Sequence, residues 1–412
     1  MVISNISLTK DAHFITLTAD ITYRGKETQQ VYFKTAKSYE SFITTDASPF
    51  LAAVLLSCMK TRENIYIDGS VSKKLLQNAA TIMSFLRKQN IGLYKIRIRS
   101  KRSLADSGRP RYVGTFFTAD VNSFYTYLTH RTKKDRITHL IVPYGFASSQ
   151  GNKSLVADVK KVVDKVAKDE RIKIIVVETN VSSAIKYEAT LNFAHGGGYA
   201  AIALFLRKKV KQVLLPNTGE DMKSPKNIKQ SELDNLWATE SLRIRCDGEK
   251  FDSFHKITKV ISKSPLALKS LRVCTHNNTG KYNCSRCFVC LNTMITLVCA
   301  DSLKRAKTFD KVLDLNLVKK MYYDYRSSQN IVGEKTLSAL KRQHREQALQ
   351  EAITYSLEIS RRPRFMKHMY QFINFRIYVE KDSLLSRIAL RISKTEEKNA
   401  MIKFLSKRHF LK

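Results

Sequence analysis

YVGTFFTADVNSFYTYLT, Tyr112 to Thr129, reads as a strand, a tight loop and a helix in immediate succession. Tyr112 to Phe117 has the β-branched and aromatic composition of a buried strand. Thr118 to Ser123 is small and polar, and Phe124, Tyr125, Tyr127 and Leu128 then supply an apolar helical face. A small-residue loop between a strand and a helix N-terminus is where α/β proteins hold phosphate, because free backbone N–H groups and the helix dipole point at it.

Downstream the pattern repeats. His139 to Tyr144 and Lys173 to Val177 read as strands, with helical spacing between them from Leu155 to Ala167. A helix from about Ala184 to Phe193 leads to His195-Gly196-Gly197-Gly198, which opens a buried helix, Tyr199 to Leu206. Val210 to Leu215 is the next strand, stopped by Pro216. Strands alternating with helices predict an α/β fold built on a doubly wound parallel sheet. Ligands of such sheets bind at the carboxyl ends of the strands, so the loops after Phe117, Tyr144, Val177 and Leu215 are expected to share one site. Residues 217 to 260 read as polar and irregular and contain the single tryptophan, Trp237.

Upstream, 1–108 reads as an N-terminal α+β domain without a recognisable catalytic motif. It has strands at Ile15–Ile21, Gln30–Lys34, Asn64–Asp68 and Leu93–Ile98. One helix starts at Ser48-Pro49 with Ser48 as cap, and a second carries Leu75, Ala79, Ile82, Met83 and Leu86 on one face. Ser103 to Pro110 reads as a linker. The expected organisation is 1–108, then 109–300 as the nucleotide-binding core, then a basic helical region over 301–412.

The chain of 412 residues has a net charge of +36, with lysine and arginine spread along its whole length. Such a field attracts nucleic acid, nucleotides or acidic surfaces, and RNA contact through this surface and a merely solvated basic surface both fit it. The apolar runs are too short to span a bilayer, and Met1-Val2-Ile3-Ser4-Asn5 lacks the pattern of a secretion signal. No membrane partner and a cytoplasmic location are therefore expected.

Four of the seven cysteines fall in one segment, Cys274, Cys284, Cys287 and Cys290, spaced C-x9-C-x2-C-x2-C. Thiolates two residues apart reach a common ion on a tight turn, and a fourth closes a tetrahedron. All-sulfur ligation selects zinc or an iron–sulfur cluster. The ferredoxin run needs a further cysteine soon after, and Leu291 to Met294 offers none, which favours a structural Zn²⁺.

Thr118-Ala119-Asp120-Val121-Asn122-Ser123 resembles the PP-loop of the N-type ATP pyrophosphatases, Ser-Gly-Gly-x-Asp-Ser. Ser123 is identical, Thr118 and Ala119 replace Ser and Gly, and Asp120 and Asn122 depart from Gly and Asp. A PP-loop followed by a four-cysteine cluster is similar to the relatives of 7-cyano-7-deazaguanine synthase. The similarity extends to Leu271-Arg272-Val273-Cys274, His195-Gly196-Gly197, Leu236-Trp237 with Thr239-Glu240, and Pro49 to Ala53. It implies an adenine-nucleotide alpha-hydrolase-like fold that uses ATP with Mg²⁺ to adenylate an oxygen, usually of a carboxylate. Pyrophosphate leaves, and an amine, ammonia or a sulfur nucleophile then displaces AMP. The substrate would be a small molecule or a nucleobase. Thr118 to Ser123 would cradle pyrophosphate, with Asp120, Asn122 and Ser123 nearest the chemistry, and His195, Gly196 and Gly197 would let backbone approach the nucleotide. Two other readings are a PP-loop protein that binds nucleotide or RNA without turnover, and a PP-loop enzyme acting on tRNA.

Overall fold

A computed structural model describes residues 1–88, 92–104, 108–132, 135–146, 153–184, 191–217, 230–274, 281–323 and 329–361. In chain order the first part forms β1 (Val2–Lys10), β2 (Phe14–Thr22), β3 (Gln29–Ala36), α1 (Ser48–Thr61), β4 (Ile65–Ser72), α2 (Lys73–Lys88) and β5 (Ile98–Leu104). The middle forms β6 (Tyr112–Phe116), α3 (Val121–Thr129), β7 (His139–Tyr144), α4 (Lys153–Glu170), β8 (Lys173–Thr179), α5 (Val181–Ala184), α6 (Leu191–Phe205) and β9 (Val210–Pro216). The last part forms α7 (Gln230–Asn235), β10 (Arg243–Asp247), α8 (Ser253–Lys259), α9 (Pro265–Ser270), α10 (Phe288–Cys299), α11 (Leu315–Lys319), α12 (Gln329–Arg342) and α13 (Gln347–Ser360).

All ten strands join one sheet in the order β10-β9-β6-β7-β8-β3-β2-β1-β4-β5. The pairs from β10 to β8 are parallel, as are β1–β4 and β4–β5, and the hairpin strands β2 and β3 join the two parallel parts antiparallel. Counted from β6, the second part runs 3-2-1-4-5, the order of a doubly wound sheet, with its switch point between β6 and β9. The expected α/β class with a mostly parallel sheet is therefore present. The strands of residues 1–108 do not form a separate sheet. Phe33 and Lys34 of β3 pair with Thr179 and Glu178 of β8.

Packing crosses the same seam. α1, buried along nearly its whole length, lies against α6, and Phe33 of β3 packs on Phe50 of α1 and Phe205 of α6. Ile15, Leu17, Ala19 and Ile21 of β2 turn to this core, while the intervening polar residues stay half-exposed, the alternation of an antiparallel sheet with one wet face. On the opposite face, Val113, Leu140 and Leu214 pack with α3, α9 and α10 into a second core. α11 to α13 add a third cluster that Leu291, Ile295 and Cys299 of α10 tie to the rest. No helix among the described residues is long and apolar enough to cross a membrane.

Several expectations are corrected. The strand expected at Leu93–Ile98 lies later, at Ile98–Leu104, and Leu93 and Ile96 are buried from an irregular segment instead. β1 and β10 were not expected. Ser48 does not cap α1: its hydroxyl accepts the Ser72 N–H at 3.1 Å, and Asp46 accepts the Ser48 N–H at 2.8 Å. Within the region expected to be helical, α12 and α13 are separated where His344 and Glu346 take positive φ. Residues 362–412 and 185–190 lie outside the described residues.

Candidate functional site

β6 ends at the switch point and its chain turns into α3 through Phe117, Thr118, Ala119 and Asp120. The turn is made by Ala119, whose φ of 60° lies in the left-handed region that glycine occupies without strain. Ala119 is also fully buried, and its carbonyl accepts the Arg272 N–H at 2.8 Å. In the Ser-Gly-Gly-x-Asp-Ser pattern this position is a glycine, so the backbone supplies the reason for that glycine although the side chain here is a methyl.

Asp120 closes the loop on itself. Its carboxylate accepts the Ser123 N–H at 2.7 Å and the Thr118 hydroxyl at 2.9 Å, while the Ser123 hydroxyl donates to the Asp120 carbonyl at 3.1 Å. This is an N-cap, and it places a fixed negative charge at the positive end of α3, where an anionic ligand would lie. The amides of Val121 and Asn122 have no acceptor among the described residues. Burial and the nearby Asp120 charge push the Tyr199 phenol up. Tyr282 is raised too, mainly by burial, with Arg272 opposing and Asp158 and Asp120 adding to the rise.

Asn122 faces a cation the sequence reading did not anticipate. Lys256 of α8 is fully buried, and its ammonium donates to Asn122 Oδ1 at 2.8 Å and to the Asn217 carbonyl. It also lies 5.2 Å from the centre of the Tyr125 ring. The one sequence signal was position: Lys256 shares a helical face with Val260, where an apolar residue is expected. Beside it, β10 delivers Asp247 to the same strand edge. His130 of the α3 C-terminus sets Nε2 3.4 Å from Asp247 Oδ1 and Nδ1 3.0 Å from the Thr126 carbonyl. The second Asp247 oxygen is buried without a partner among the described residues.

His195, Gly196 and Gly197 do not open a helix; all three lie within α6. A Cβ on Gly197 would stand 2.8 Å from the Ala52 carbonyl oxygen, and one on Gly198 2.2 Å from the Phe146 ring. These glycines let α6 approach α1 and Phe146. Trp237 is fully buried in the core. Glu240 caps α2, accepting the Lys74 N–H at 2.9 Å and the Ser72 hydroxyl at 2.8 Å. Glu178 and Asn180 stitch β8 to β3 through Tyr32, Lys34 and Gln30. Ala147, after the second strand of this half, is outside the described residues.

The cysteines behave as expected from their spacing. The Sγ atoms of Cys274, Cys284, Cys287 and Cys290 lie within 4.8 Å of one another, and none of the four is in a disulfide. Cys287 caps α10, which puts Cys290 in its first turn, and Ser285 takes a φ of 57° to bend the chain back. Cys284 and Cys290 are 3.8 Å apart. A tetrahedral S₄ site with metal–sulfur bonds of ~2.3 Å requires sulfurs about 3.8 Å apart. The adjacent Cys287 and Cys290 thiols, with the Cys287 N–H donated to its sulfur at 3.3 Å, hold the Cys284 thiol well below the usual range. Asn283 braces the segment: its amide oxygen accepts the N–H groups of Val273 and Cys274, and its NH₂ donates to the Leu271 carbonyl. The arrangement can hold a metal ion, and its side chains belong to the same core as Ala119, Val121 and Phe117.

No protein-family model matches the chain, and comparison with curated proteins and with solved structures returns no match.

Proposed function

We propose that the chain is an ATP-dependent adenylating protein of the PP-loop type. It activates a carboxylate or carbonyl oxygen for attack by an amine, ammonia or a sulfur nucleophile, and releases AMP and pyrophosphate. One observation carries the reading: the loop between β6 and α3 lies at the switch point and turns through a left-handed residue at Ala119, the glycine position of the PP-loop pattern. The nucleotide would lie along the carboxyl edge of β6 and β9, with pyrophosphate at the first-turn amides of α3. Lys256 would neutralise its charge, and Asp247, one of whose oxygens is buried without a partner among the described residues, is a carboxylate at this edge suited to Mg²⁺. Catalysis here is positioning and charge neutralisation. The four-cysteine site is read as structural Zn²⁺, because four sulfurs close the tetrahedron and leave no position for substrate.

A second reading, nucleotide binding without turnover, is favoured by Asp120, whose carboxylate already occupies the end of α3. The deciding experiment is calorimetry with ATP and Mg²⁺ alongside pyrophosphate release across a panel of carboxylates, with and without ammonia. Adenylation requires both heat and release, and binding alone selects the second reading. The absence of any heat at millimolar nucleotide defeats both.

A further inference from the structure

Between α8 and α12 lies an open groove of about 570 Å³, separate from the PP-loop. This is a size that holds a nucleotide-sized ligand. Its floor carries Phe251, which is 37% exposed, an unusual position for a phenylalanine in a charged neighbourhood. Phe251 is held in place: its N–H donates to the Gly248 carbonyl at 3.1 Å, and its ring stacks on His255 at 4.3 Å with 14° between planes. The result is a preformed aromatic platform with part of its surface open.

The lining carries three cations, Lys250, Lys335 and Arg342, and two carboxylates, Asp252 and Glu334, the latter ion-paired with Arg361. Lys335 is tied to Asp252 in an ion pair, which fixes the wall. Lys250 and Arg342 also line the groove and make no ion pair among the described residues. Two uncommitted cations around an open ring, on a chain of net charge +36, match a ligand that is planar on one side and anionic on the other.

We propose that this groove binds a nucleotide, with the base stacked on Phe251 and its phosphate held by Lys250 and Arg342. The nucleotide is either free or part of a single RNA strand. An acidic peptide would use the two cations and leave the platform idle, so the stacked rings favour a base. The Phe251 ring is 5.9 Å from that of Tyr125 on α3, so a strand in the groove would lie beside the helix that starts at the PP-loop. The inference does not depend on ATP being cleaved there.

The test is fluorescence anisotropy of a labelled ten-nucleotide oligouridylate at two salt concentrations, with UMP and oligoglutamate as competitors. Phe251→Ala is expected to weaken RNA binding about 10-fold or more, and Phe251→Tyr to retain it. Arg342→Gln is expected to weaken it and to reduce the salt slope by about 1. Binding to RNA far tighter than to UMP identifies a strand as the occupant, and equal displacement by UMP identifies the free nucleotide. Wild-type RNA affinity in Phe251→Ala, or displacement by oligoglutamate as efficient as by UMP, overturns the proposal. Pyrophosphate release from ATP by the same variants separates the two sites: these substitutions should leave release at the loop unchanged. Loss of the ATP reading would leave the RNA result standing.

Discussion

The loop at Thr118–Ser123 and the cysteine cluster at Cys274–Cys290 rest on one core. They differ in how far the chain satisfies them. At the loop, Asp120 provides an internal anion for the end of α3, so the helix terminus is capped with no ligand bound. At the cluster, four sulfurs lie within 4.8 Å of one another and could hold a metal ion. On the function proposed above, a ligand would enter the first by displacing the cap, and a metal ion would complete the second.

The cluster gives the sharpest way to break this contrast. Cys284→Ser, or chelation, is expected to release the metal and to cost about 5 kcal/mol or more, seen as loss of bound zinc and a collapsed melting transition. A variant with no metal and unchanged melting would reduce the cluster to an ordinary thiol core. At the loop, Asp120→Ala is expected to cost only ~1 kcal/mol of stability through the lost cap, while tightening pyrophosphate binding. If pyrophosphate binds more weakly instead, Asp120 is a ligand-handling group and not a competitor. The smallest effect belongs to Ala119→Gly. Relief of left-handed strain is partly offset by the freer unfolded chain, leaving a stabilisation of about 0.5 kcal/mol in chemical denaturation. A destabilisation there would mean that the buried methyl, not the turn, holds the loop.

Much of this architecture is written locally. β6, its loop and α3 could be read because composition changes abruptly at Thr118 and Phe124, and the cysteines could be read because metal spacing is short-range. What escaped depends on distant partners. β10 has one fully buried side chain, Ile244, and exists because β9 lies beside it. β1 breaks its own alternation at Asn5, where φ is 51° and the register with β2 shifts. β5 is an exposed, charged edge with no apolar face to announce it, and the apolar Leu93 and Ile96 drew the reading one segment too early. Lys256 meets Asn122 across 134 residues of chain, a distance no local pattern spans. The glycines of α6 were read for a nucleotide because close backbone approach to a ligand and to a neighbouring helix ask the same of a sequence.

The seam between β3 and β8 bears on how this chain can be handled. A fragment ending near residue 108 would carry β3 with one backbone edge unpaired, and its complement would expose the matching edge of β8. Each half made alone is an aggregation hazard, because open edges recruit any strand they meet. Made together, the same halves have a defined address for each other: a short antiparallel register, the α1–α6 contact, and a glutamate that caps a helix across the divide. The chain is thus poorly suited to truncation and well suited to being split and reassembled.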